Sequence, residues 1–175
     1  MPWRNGHGAT TELAVEPPGA SLDRFDWRIS IAELRGPGPF SPFPGYDRII
    51  VQLDGPPMAL AHAGRPPVVL EHLVPHAFSG DDVTACVVDG VAHDFNLIVR
   101  RGLAQATVAG YRLGEGEELE RESGAVMVLH VLDGGLEAAD GVHLDVGDTR
   151  VANAAEMPAH RAVGRSVVLV TTLTC

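Results

Sequence analysis

The residues best suited to chemistry are arginines and small polar side chains between positions 28 and 100. Arg28, Ser30, Arg48, Asp94, Asn96 and Arg100 sit in three alternating apolar stretches. A guanidinium grips a carboxylate through two parallel hydrogen bonds and fixes its plane. Ser and Asn satisfy the remaining polar atoms of a small ligand. The set therefore suits a small carboxylic acid. A plainer reading has these side chains facing water, or Arg28 and Arg100 bridging to Asp26, Asp47 or Asp94. Alternation alone leaves both readings open and does not say which face points inward.

Two loops extend the candidate set. GPGPFSPFPG, residues 36–45, is stiffened by its prolines, and Phe40 and Phe43 would cover a pocket mouth or plug a core end, with Ser41 between them. WRNGHGATTE, residues 3–12, offers backbone N–H groups and Asn5 to an anion, or forms a capped turn before a short helix. With Trp27, the candidate ligand-binding residues are Asn5, Trp27, Arg28, Ser30, Phe40, Ser41, Phe43, Arg48, Asp94, Asn96 and Arg100.

Other chemistries find less support. No His-x-His pair occurs among the eight histidines. His72 and His76 are four apart, but Pro75 disfavours the helix that would align them. His130, His143 and His160 lie on or near separate strands and could converge; Glu71-His72 and His160 are the best isolated metal-ligand candidates. Scattered histidines are the simpler account, so neither metal nor cofactor is expected. Ser41 has no nucleophile elbow around it. Cys86 in TACVV reads as a buried strand cysteine. Asp81-Asp82 and Glu117-Glu118 read as turn and solvent residues. No catalytic residue is assigned.

Composition narrows the classes further. The chain has 175 residues, 45% hydrophobic, enough for a real core. Its 13 basic residues, all Arg, stand against 23 acidic ones, a net charge of −10 that argues against nucleic acid. The absence of Lys excludes lysine Schiff-base chemistry and the lysine phosphate loop. No apolar run is long enough for a membrane span, and the first residues lack the apolar core of a secretory signal. Cys86 and Cys175 do not form a disulfide framework, and a reducing cytoplasm is expected.

The elements that must position these residues are strands. Trp27–Glu33, Arg48–Leu53, Asp94–Arg100, Gln105–Tyr111, Ala125–Leu132, Gly141–Leu144, Thr149–Ala152 and Val167–Thr174 carry strand patterns. Ala9–Val15 and Gly116–Ser123 have weak helical propensity. IIVQLDG (Ile49–Gly55) is echoed by VLHVLDG (Val128–Gly134), and a Gly-Asp pair follows each, Gly80-Asp81 and Gly147-Asp148. The echo predicts two related β units meeting near Arg101–Gln105 in one compact body. A sandwich, a barrel or a double-stranded β-helix would fit; the strand and turn order up to Pro158 and His160 favours the last.

Several segments together resemble the HutD/Ves family. Pro2-Trp3-Arg4-Asn5-Gly6 with Gly8, Thr10 and Glu12 is similar to its PWxNGxGxTxE pattern. Phe25–Glu33 is similar to FDWRISIAE. Gly38-Pro39-Phe40-Ser41, Phe43-Pro44-Gly45, Asp47 and Arg48 are similar to GPFSxFPGxDR. Phe78, Gly80 and Asp81, then Asp94–Leu97 with Arg100 and Arg101, are similar to FxGD and DFNLxxRR. These motifs run across roughly the first 102 residues, and the C-terminal third matches only a generic cupin pattern. His7 stands where the family has Gly. The chain begins at the first motif, where the family has a preceding short strand, so an edge strand is expected to be missing or the start to be set differently.

The resemblance implies an all-β, RmlC-like jelly roll in a two-cupin arrangement. It spans residues 1–175 as a single bicupin domain, with units of about 1–101 and 102–175. It implies an accessory or regulatory protein of histidine utilisation, with urocanate or formylglutamate as ligand. A related branch is linked to environmental stress. The alternative is a metal-dependent cupin oxygenase or isomerase. A small carboxylate is the expected partner, with a homodimer formed edge to edge and no nucleic acid or membrane.

Overall fold

The computed structural model describes residues 8–120 and 124–174. The chain divides into two compact units, Met1–Leu103 and Ala104–Cys175. The first is built from β1 (Gly8–Glu16), β2 (Trp27–Leu34), β3 (Gly38–Pro39), β4 (Tyr46–Asp54), β5 (Met58–His62), β6 (Val68–Val69), β7 (His76–Ser79), β8 (Thr84–Val88) and β9 (Ala92–Arg100). A five-stranded sheet, β1-β2-β9-β4-β7, packs on a four-stranded one, β3-β8-β5-β6, and the ladders within both are antiparallel.

The second unit holds β10 (Gln105–Leu113), β11 (Glu118–Leu119), β12 (Val126–Asp133), β13 (Gly135–Ala138), β14 (His143–Asp145), β15 (Thr149–Asn153), β16 (His160–Ala162) and β17 (Ser166–Thr174). Its sheets run β10-β17-β12-β15 and β11-β16-β13-β14. Strand for strand this repeats β2-β9-β4-β7 and β3-β8-β5-β6. Each unit is thus a double-stranded β-helix, and the pair is a bicupin.

The Leu-Asp-Gly echo marks equivalent corners. β4 bulges against β9 between Gln52 and Asp54, and β12 bulges against β17 between Val131 and Asp133. Gly55 and Gly134 follow with φ of +85° and +73°. A side chain at either would strike the backbone that opens β9 or β17, so glycine is required there by conformation and by space. The Gly-Asp pairs are not equivalent. Gly80-Asp81 follows β7, whereas Gly147-Asp148 precedes β15, the strand in β7's place.

The weakly helical Ala9–Val15 is strand instead. It lies within the edge strand β1, paired to β2 with a bulge between Glu12 and Ala14. Backbone pairing with a preformed sheet outweighs a small helical preference. Of Gly116–Ser123, Glu118 and Leu119 form β11, and the last three residues lie outside the described residues.

Each unit has its own core. In the first, Leu34, Ile50, Met58, Leu60, Cys86 and Val88 meet between the sheets. In the second, Leu113, Met127, Leu129, Val131, Leu136 and Val168 do so. The reverse face of the first unit's large sheet is buried as well, through Ile29, Val51, Phe95 and Leu97. Most of β2 and β9 is therefore out of water on both faces, and Arg28, Ser30, Asp94 and Asn96 do not form a solvated face.

Candidate functional site

Strand register gathers the polar residues on the inner face of the first unit. Arg28, Ile98, Arg48 and Phe78 form one row across β2, β9, β4 and β7. Ser30, Asn96, Ile50 and His76 form the next, and Ala32, Asp94 and Gln52 the third. Period-two alternation keeps all three rows on the face that carries Leu34 and Ile50 into the core. Arg28, Ser30, Arg48, Asp94 and Asn96 are all buried.

Arg48 is the centre of this set. It is 6% exposed. Its Nε and Nη2 donate to Asn96 Oδ1 at 3.3 and 3.0 Å, and Nη1 donates to the Ser41 carbonyl at 3.3 Å. The guanidinium carbon lies 4.8, 5.1 and 5.6 Å from the ring centres of Phe78, Phe40 and Phe43. Among the described residues every acceptor it meets is neutral, and the three rings supply quadrupole attraction rather than charge. Burial lowers its pKa to about 10, opposed by the charge of Asp94.

Asn96 links Arg48 to Asp94 by donating from Nδ2 to Asp94 Oδ1 at 3.2 Å. Asp94 is fully buried, and its Oδ2 has no hydrogen-bond partner among the described residues. Burial pushes its pKa up to about 7, against the pull of Asn96, Arg48 and His93. Among the described residues, the buried carboxylate whose charge acts on Arg48 is therefore held towards its neutral form. A buried cation whose neighbours do not neutralise it is a place for an anion.

The other candidates divide. Phe40 and Phe43 flank Arg48, and Phe43 is held by edge contacts with Phe25 and Tyr46. Ser41 contributes its carbonyl oxygen, not its hydroxyl. Arg28 is already bridged, donating to Glu12 on β1 at 2.8 Å. Arg100 is half-exposed and bridges to Asp26 at 2.9 Å. Trp27 pairs with Val99 and lies on the opposite face, with Ile29. Asn5 lies outside the described residues, as does His7.

Sequence reasoning missed four residues that line this interior. Phe78 carries Arg48, and His62 stacks near both His76 and Phe78, at 5.8 and 5.2 Å between ring centres. Burial, then the neighbouring His62, hold the His76 imidazole below its ordinary pKa. Thr84 hydrogen-bonds His62. The available signal was the alternation Met58, Leu60, His62 in β5, which sends a histidine the way of two core residues. Cys86 is inward and inert as well, its thiol raised to about 12 by burial and by Asp94.

His130, His143 and His72 have separate partners. His130 meets Thr149 at 2.8 Å, exposed His143 meets Asp145 at 3.3 Å, and His72 meets the Leu53 carbonyl at 2.7 Å. Among the described residues no three His, Cys, Asp or Glu side chains are grouped to hold a metal ion.

The family model described as HutD matches residues 1–170. An uncharacterized 21.2 kDa protein in the hutC 3' region of Pseudomonas putida is 44% identical over 99 residues, 56% of this chain and 52% of that protein. The chain spans about half the length of the curated relatives it matches. A solved structure of the conserved protein of unknown function PA5104 from Pseudomonas aeruginosa PAO1 is 34% identical, with a TM-score of 0.87 over 100% of this chain and 93% of that one. HutD from Pseudomonas fluorescens SBW25 is 27% identical, with a TM-score of 0.76 over 100% and 94%. More distant solved structures, a cupin barrel protein among them, share the fold alone. With its two-cupin architecture and a family model that covers nearly all of its length, this chain belongs to the HutD family.

Proposed function

We propose that the first unit binds a small carboxylate at Arg48, and that the protein is an accessory or regulatory component of histidine utilisation rather than one of its enzymes. The carrying observation is Arg48 itself, a buried guanidinium among three phenyl rings with only neutral hydrogen-bond acceptors. Carboxylate oxygens would complete its charge and its fork geometry. Family membership, and a relative described by its place in a hutC 3' region, support the metabolic setting. Urocanate and formylglutamate are the ligands to try.

Calorimetric titration tests this directly. Saturable binding of one of these acids is expected. Arg48→Ala should weaken it at least ~30-fold, the scale of losing one partner of a buried charge pair. Arg100→Ala, which removes only the half-exposed bridge to Asp26, should change it by less than about twofold. Flat titrations with both acids would overturn the proposal.

A further inference from the structure

A second buried polar group of the first unit's interior is His62, which shares Phe78 as a neighbour with Arg48. Its ring lies 5.2 Å from the Phe78 ring, which in turn lies 4.8 Å from the Arg48 guanidinium carbon. His62 is 5% exposed, at the end of the Met58-Leu60-His62 face that fills the core. Its Nδ1 is 2.9 Å from Thr84 Oγ1. The Thr84 hydroxyl also lies 3.3 Å from the Asp82 carbonyl. With its proton directed to that carbonyl, the hydroxyl accepts from His62, which in the neutral ring puts the proton on Nδ1. Nε2 then presents a lone pair. It is buried and has no hydrogen-bond partner among the described residues.

A buried acceptor left unmatched is costly, and a ligand that supplies a donor relieves that cost. On the reading that Arg48 holds a carboxylate, we infer that His62 Nε2 is a specificity-determining acceptor, and that the ligand class is a carboxylic acid carrying an N–H or O–H donor beyond a flat or unsaturated spacer. The spacer would lie against Phe78 and the ring of His76, 6.1 Å from it. Plain carboxylates would fill only the Arg48 end.

Two acids of matched shape separate these cases. Urocanate has a ring N–H, and cinnamate has a similar flat acrylate body without one. The wild-type protein should prefer urocanate by roughly tenfold, the scale of one buried hydrogen bond. His62→Phe, which keeps an aromatic ring and removes the acceptor, should erase that preference and leave cinnamate binding unchanged. His62→Gln, which restores an acceptor, should recover part of it. Nitrogen NMR of the ligand-free wild type supplies a readout independent of any variant. The neutral His62 ring should be protonated at Nδ1, and its Nε2 resonance should shift when urocanate is added.

Equal affinity for the two acids, with both still lost in Arg48→Ala, would overturn the role of His62 and leave the carboxylate reading standing. So would a neutral His62 protonated at Nε2, or a urocanate preference that survives His62→Phe. If the wild type binds neither of these acids but still binds formylglutamate, the ligand class inferred here fails and the carboxylate reading stands; if the formylglutamate titration is flat as well, both fail.

Discussion

Where the first unit carries Arg48, the second carries Met127. The two bulged corners align the strands residue by residue. Gln52, Asp94 and Asn96 correspond to Val131, Val168 and Val170, and Phe78 corresponds to Ala152. The strand lattice is the same, yet one interior centres on a hydrogen-bonded guanidinium and a carboxylate and the other is mostly leucine, valine and methionine, with Thr172 beside Met127 and His160 as polar exceptions. The second unit is thus an internal control. It shows that this lattice closes around an apolar filling and does not need a buried guanidinium. Buried charge is seldom retained for stability, because apolar side chains of similar size do as well or better. The polar interior of the first unit therefore calls for a cause outside the fold, and a ligand is the cause that Arg48 suits.

That comparison can be broken in three ways. The largest effect should come from putting the charge into the wrong unit. Met127→Arg places a guanidinium in the core of Leu113, Leu129 and Leu136, with the Thr172 hydroxyl across the strand pair but no buried carboxylate or amide among the described residues there, and should cost about 3–5 kcal/mol in urea denaturation. A cost below about 1 kcal/mol would mean that the two interiors are equally tolerant and that the contrast carries no information.

The converse change makes the first unit resemble the second. The triple variant Arg48→Met, Asp94→Val, Asn96→Val should be unchanged in stability or more stable by about 1–4 kcal/mol, while carboxylate binding disappears. Removing the set together matters, since losing Arg48 alone strands Asp94. A clear loss of stability in the triple variant would instead make the polar set structural.

The smallest effect is a pH slope. The folded-state pKa of Asp94 is raised to about 7, above its unfolded value near 3.8. Above both values the carboxylate is charged in either state and its burial is a standing penalty. As pH falls from about 7 towards 4, the folded protein takes up a proton that the unfolded chain does not, so stability attributable to Asp94 rises, by at most about 1.4 kcal/mol per pH unit. Arg48, His93 and Cys86 are the titratable groups that act electrostatically with it. Denaturation midpoints of wild type and Asp94→Asn across this range should converge at low pH and separate at high pH. Parallel curves would show that Asp94 is not perturbed, and the contrast with Val168 would lose its electrostatic content.

The site was legible in part, and for definite reasons. The alternation put Arg28 with Ser30 on one face of β2 and Asp94 with Asn96 on one face of β9, because side-chain direction along a strand follows from the pleat, and the family resemblance brought those strands and Arg48 of β4 into one region. Alternation could not separate an inward polar face from a wet one. That needed β3-β8-β5-β6 to cover it, and those strands are too short to leave a strong periodic signal. It also could not tell Arg48 from Arg28 or Arg100. Arg28 is neutralised by Glu12, which β1 brings alongside β2, and Arg100 by Asp26 across the chain turn. Both pairings depend on which strands become neighbours. His62 went unweighed because a lone histidine after two alternating apolar residues says nothing of what stands opposite.

What the sequence by itself determined is the all-β class, the doubled unit and the corners that build it. Leu-Asp-Gly imposes a bulge and a left-handed turn through local sterics, and local sterics are written in order along the chain. The tertiary structure alone decided which guanidinium meets only neutral acceptors among the described residues, that burial raises the pKa of the neighbouring carboxylate, and that His62 Nε2 is buried. Those are properties of charge and hydrogen bonding in a space emptied of water. They depend on the distances between strands 30 or more residues apart, which no local pattern records.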